Sequence, residues 1–135
     1  MSTELISEEE IIMKLNLTST LKELTENTIT TEKVIAKKEK NKITYQTNNF
    51  NYILKIISPN KLVLNRKNNT LECTMYFELN KKKNAIYTFK EEEYTLEIEI
   101  KTTLINITDN CILIHYTVDD SNDSYEYNIE MSEIK

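Results

Sequence analysis

The sequence predicts an all-β fold, an antiparallel meander of about eight to ten strands closed into a barrel. Three observations predict it. Apolar residues recur at every second position in one short segment after another. The breaks between segments are short, regularly spaced and rich in Asn and Asp. Beyond the N-terminal residues, no long segment carries the 3.6-residue period of an amphipathic helix. A meander this long has to close into a barrel or fold into a sandwich, because a free edge strand exposes unpaired N–H and C=O groups.

Each element can be justified in chain order. Residues 1–10 read either as a short helical turn, capped by Ser2 or Thr3, or as a flexible terminus; residues 11–135 read as one barrel domain. The first strand sets Ile11, Met13, Leu15 and Leu17 against Ile12, Lys14, Asn16 and Thr18. Thr28 to Lys37 is rich in Thr, Ile and Val, and Lys42 to Thr47 has Ile43 and Tyr45 in phase. Phe50, Tyr52, Leu54 and Ile56 share a phase, as do Leu62, Leu64 and Arg66 in the next segment. Leu71, Cys73, Met75, Phe77 and Leu79 alternate with Glu72, Thr74, Tyr76 and Glu78. Ala85 to Phe89 is a short aromatic strand, followed by Leu96, Ile98, Ile100 and Thr102 against Glu97, Glu99 and Lys101. Cys111 to Val118 and Tyr125 to Met131 complete the set.

The chain of 135 residues contains no glycine, where about nine are expected from average usage. That excludes a dinucleotide fingerprint, a Walker A loop and a G-x-S-x-G elbow, all of which need a backbone free of Cβ. It also bears on the turns. Asn and Asp tolerate the left-handed region better than other non-glycine residues. Several of the sixteen Asn are therefore expected where glycine is usual. A net charge of −5 argues against nonspecific nucleic-acid binding. The acidic start lacks an apolar leader, and no apolar run approaches the roughly 20 residues of a membrane helix, so a cytoplasmic protein is expected. Sixteen Lys against one Arg, with eighteen Ile, suggests AT-rich codons and a low-GC bacterial source.

The stretches KLVLNRKNNTLECTMYFEL, TLEIEIKT and CILIHYTV resemble the YwiB-like family of uncharacterised bacterial proteins. The resemblance runs from about Ile11 to Ile134 and includes TITTEKVIAKKEKNKITYQT, with Tyr45 in the place of a usual tyrosine. It aligns Arg66, the turn Asn68-Asn69, Phe77, Thr102 and Tyr116 with family positions. It implies a calycin-type barrel, similar in architecture to lipocalins, and implies no activity. Two departures stand out. Asn68 replaces a usual glycine, and Glu91 to Tyr94 replace a usual Thr-Pro-Tyr-Gly run. Asn68 is expected to take a positive φ in glycine's place. Tyr94 suits such a φ poorly, so its loop is expected to differ.

Catalytic and metal chemistry find little footing. His115, the single histidine, and two cysteines at separations of 38 and 4 residues match no zinc spacing. Cys111 and His115 on one strand face stand about 13 Å apart, too far for a nucleophile and its base. Glu97 and Glu99, with Glu91 to Glu93, fit a solvated strand face, and Lys81 to Lys83 a hairpin tip. If Leu62 and Leu64 face the interior, Arg66 has two readings. It anchors a ligand's acid group inside the barrel, or it is structural, plugging the barrel end or packing over an aromatic ring. A register slip would instead leave it in solvent. Tyrosines on inward phases suit either a core or a pocket.

The expected function is non-enzymatic binding of a small, largely apolar ligand, anionic if Arg66 meets it. Arg66, Tyr45, Tyr52, Phe77 and Tyr116 are the candidate contacts. No cofactor, metal, nucleic acid or membrane is expected as a partner, and the state is a monomer or small homo-oligomer. The alternative is a protein–protein interaction module with a barrel filled by side chains, and an enzyme of unknown type comes third.

Overall fold

The computed structural model describes residues 12–119 and 121–134; the turn or flexible segment expected over residues 1–10 lies outside them. Ten strands follow one another: β1 (Met13–Glu23), β2 (Thr28–Glu39), β3 (Lys42–Gln46), β4 (Asn51–Ser58), β5 (Lys61–Lys67), β6 (Leu71–Glu78), β7 (Lys82–Phe89), β8 (Tyr94–Ile107), β9 (Cys111–Val118) and β10 (Ser124–Glu133). Each pairs antiparallel with its chain neighbour, and β1 pairs with β10, from Leu15↔Glu133 to Glu23↔Tyr125. The result is a closed up-and-down barrel. Closure satisfies the backbone groups that an open meander would leave exposed.

The predicted phases hold along the strands. Leu15, Leu17, Ile43, Leu54, Leu62, Cys73, Phe77, Ile112, Ile114 and Ile129 are buried, while their sequence neighbours face outward or are only half-buried. In β8 the register shifts between Thr102 and Leu104, so one extra residue carries the inward phase from Ile100 and Thr102 over to Ile105. The bulge extends β8 to Ile107, beyond the point where simple alternation ends at Thr102.

The β1–β2, β3–β4, β5–β6, β7–β8 and β9–β10 turns gather at one end of the barrel, called the upper end here. The other four turns form the lower end. Five turns use positive φ: at Asn27, Lys40, Asn80, Glu93 and Asn122. Three of these are Asn, as the missing glycines require.

Asn68 is not among the positive-φ residues, which corrects the expectation for that turn. Its side chain closes the turn instead. Asn68 Oδ1 accepts from the Thr70 and Leu71 N–H groups, each at 2.9 Å. This is the local bonding that lets Asn shape a turn without entering the left-handed region. Thr47 does the same at β3–β4, its Oγ1 accepting from Asn49 and Phe50 at 3.2 Å. In the β7–β8 loop the left-handed residue is Glu93, with φ 51°, and Tyr94 begins β8.

Candidate functional site

Register places the site. Ala36, Tyr45, Tyr52, Arg66, Cys73 and Tyr87 are successive cross-strand partners from β2 to β7, all on the inward phase. They form one lateral row on the inner wall. On the opposite side, Tyr116 and Tyr125 are partners in β9 and β10. Between these walls, in the upper half, lies a cavity of about 460 Å³. Tyr52, Arg66, Met75, Tyr87, Tyr116 and Tyr127 are among its lining residues.

Three of the five residues singled out in the sequence line this cavity: Arg66, Tyr52 and Tyr116. Tyr45 and Phe77 do not. They stand behind it. Tyr45 stacks on Tyr52 with centroids 4.6 Å apart and rings inclined by 7°, and its hydroxyl lies 3.2 Å from that of Tyr127. Phe77 packs against Tyr116 at 5.3 Å, and Tyr116 in turn stacks on Tyr125 at 5.1 Å. Both therefore hold lining rings in place.

Arg66 carries the charge of the site. Its guanidinium carbon lies 5.0 Å from the centre of the Phe50 ring. Its Nε is buried without a hydrogen-bond partner among the described residues. None of the ion pairs among the described residues includes it. The groups around it are neutral near pH 7. Burial pushes Tyr87 up to about 12, and burial likewise raises Tyr52, Tyr116 and the Cys73 thiol; Arg66 opposes each of these shifts without cancelling it. Burial also works against the charge of Arg66, but Cys73, Tyr87 and Tyr52 offset it, and its ionisation stays above the ordinary guanidinium range. Arg66 is thus a permanent cation whose immediate neighbours, Cys73, Tyr87 and Tyr52, are neutral dipoles.

Sequence reasoning passed over Tyr87, Tyr125, Tyr127 and Glu32 as site residues. The first three share the inward phase and were separable from core only by their position at the upper end. Glu32 had a signal in its spacing. Val34 packs on the core and Ala36 is buried, so the residue two before Val34 also turns inward.

Cys111 and His115 are engaged separately on the outer surface. Cys111 Sγ lies 3.3 Å from Asn128 Oδ1, and His115 Nε2 lies 3.0 Å from Glu126 Oε1. Glu126 also meets Lys22 at 3.6 Å. Glu97 and Glu99 are exposed, bonded to Asn84 and Lys82 respectively. No group of three or more His, Cys, Asp or Glu among the described residues is arranged to hold a metal ion. No helix among them is long and apolar enough to cross a membrane.

The fold and site define a class: a closed, up-and-down, ten-stranded β-barrel with a tyrosine-lined cavity at one end. Among solved structures, the chain is similar to the crystal structure of the YwiB protein from Bacillus subtilis. The TM-score is 0.65 at 14% identity, and the match covers 92% of each chain. At that identity the likeness is one of fold. No protein-family model matches the chain, and no curated protein matches it in sequence.

Proposed function

We propose that this chain is a YwiB-like, calycin-type barrel that binds a small, largely apolar ligand by an acid group, with Arg66 as the anchor. The observation that carries this reading is a single one. The only arginine in the sequence faces a 460 Å³ cavity, and among the described residues its Nε is unpartnered and no carboxylate is paired to it. A buried N–H left without an acceptor is costly, and a ligand carboxylate or phosphate relieves that cost with a charge-assisted bond. The volume falls within the range of small-molecule sites, and the lining sets apolar side chains such as Leu64, Met75 and Ile100 beside tyrosine hydroxyls that can orient a guest.

The proposed role is binding rather than catalysis, in the cytoplasm. Outward positions such as Lys55, Asn65, Glu72 and Lys101 carry polar groups, whereas a membrane-spanning barrel needs an apolar outer band. A second reading has its own observation. The Phe50 ring, its centre 5.0 Å from the Arg66 guanidinium carbon, supplies a cation–π contact that holds the guanidinium without a ligand. Native mass spectrometry of protein purified from its own host separates the two. The binding reading expects a co-purifying acid that is lost from Arg66→Met while the apo-barrel stays folded. Undiminished capture by Arg66→Met removes the anchor. A variant that unfolds without ever carrying a ligand makes Arg66 structural.

A further inference from the structure

β2 is inverted relative to the usual distribution of polar and apolar residues. It turns Thr30 and Glu32 into the cavity lining, while Ile29 and Ile35 face outward at 61% and 58% exposure. Hydrophobic burial alone favours the opposite phase. Val34 and Ala36, further along the same phase, fit the core, so the polar segment is confined to the part of β2 that borders the cavity. There β2 also lacks a β3 neighbour, because β2 and β3 pair only over Ala36–Glu39. Glu32 is half-buried, and among the described residues it has no hydrogen bond to a side chain and no ion pair.

The cavity therefore holds two unmatched charges of opposite sign. Arg66 on β5 and Glu32 on β2 line the same space, yet they do not meet within ion-pair distance. Tyr52 lies in the fields of both: Glu32 raises its pKa and Arg66 lowers it, each less than burial raises it. The rim beside β1 and β10 adds negative charge, for Glu23, Glu26 and Asp123 all act on Tyr125 in the lining. A simple anion is attracted by Arg66 and repelled by the other charges. A guest that also carries a cation satisfies both.

We propose that the cavity takes an amphoteric guest, an apolar molecule with a carboxylate that meets Arg66 and an ammonium group that meets Glu32. This rests on the reading of Arg66 as an acid anchor and adds the second contact. Matched probe pairs test it: octanoate against 8-aminooctanoate, and dodecanoate against 12-aminododecanoate, titrated calorimetrically into the full chain. In at least one pair the amino acid should bind about fivefold more tightly, the value of a half-exposed ion pair. Glu32→Gln should erase that gain, while the simple acids bind at least as tightly as before because a repelling charge is gone. Glu32→Lys should shift the preference to suberate, a diacid. Circular dichroism confirms that each variant is folded, and either variant alone decides the point. Equal affinity within both pairs, or a gain that survives Glu32→Gln, overturns the amphoteric guest and leaves the acid anchor standing. Absence of binding by every acid and amino acid overturns both.

Discussion

The two halves of this barrel are built by the same ten strands and have different interiors. In the lower half Leu17, Ile43, Leu54, Leu62, Phe77, Ile112 and Ile129 are fully buried against one another. In the upper half the same inward phase carries Arg66, Tyr52, Tyr87, Tyr116 and Tyr125, and a cavity remains. β5 makes the change within five residues, from Leu62 through Leu64 to Arg66. Alternation decides what points inward, but it does not decide whether the interior is filled. Branched aliphatic side chains from facing walls interdigitate. Tyrosines stack on the neighbouring strand, as Tyr45 does on Tyr52 and Tyr116 on Tyr125, and meet the far wall at single contacts such as Tyr45 with Tyr127, so space remains beside them.

Truncations along β5 test that contrast most severely. Leu62→Ala in the filled half should cost about 3–5 kcal/mol, while Leu64→Ala, whose side chain already borders empty space, should cost about 2 kcal/mol. Urea midpoints measure both, and equal costs would mean that the halves are packed alike. Alkaline pH comes next and acts on the upper half. Tyr87 ionises at about 12 in the fold and near 10 when unfolded, so its contribution is complete below pH 10 and is lost as pH rises through 12. Tyr45 and Tyr116 are raised by burial in the same direction and add to it. Thermal melts followed from pH 8 upward should show stability falling above about pH 10. A flat profile would show those phenols to be more solvated than the fold implies. The smallest effect belongs to Thr102, which is buried with its hydroxyl unpartnered among the described residues. Thr102→Val removes that deficit at nearly constant shape and should raise stability by about 0.5–1 kcal/mol. A loss of stability would reveal a partner for the hydroxyl.

The barrel was legible because its signals are local. Ten alternating segments separated by Asn- and Asp-rich breaks match the ten strands, to within a few residues at most boundaries. The exceptions have physical causes. The β8 bulge breaks the period of two, which hid Thr103–Ile107. Asn68 offers two ways to close a turn, a left-handed backbone or an accepting side chain, and composition does not distinguish them. The site was half legible. Arg66, Tyr52 and Tyr116 could be named from phase, but Tyr45 and Phe77 share that phase and lie behind the lining. Which end of a barrel is hollow depends on volumes summed across ten strands, and no single segment carries that sum. Glu32 stayed hidden in a segment rich in Thr, Ile and Val whose phase only Val34 and Ala36 reveal.

The pairing of β1 with β10 has a consequence for how the molecule is made. Nine residue pairs link Leu15–Glu23 to Tyr125–Glu133, across most of the chain length. During synthesis β1 is made well before β10, and the side of β1 that β10 will occupy stays unpaired until β10 has been made. Contacts of such long sequence separation fold slowly. Throughout that interval β1 presents a bare edge to any other nascent strand. The closed ring that protects the finished protein is therefore its point of greatest exposure at birth.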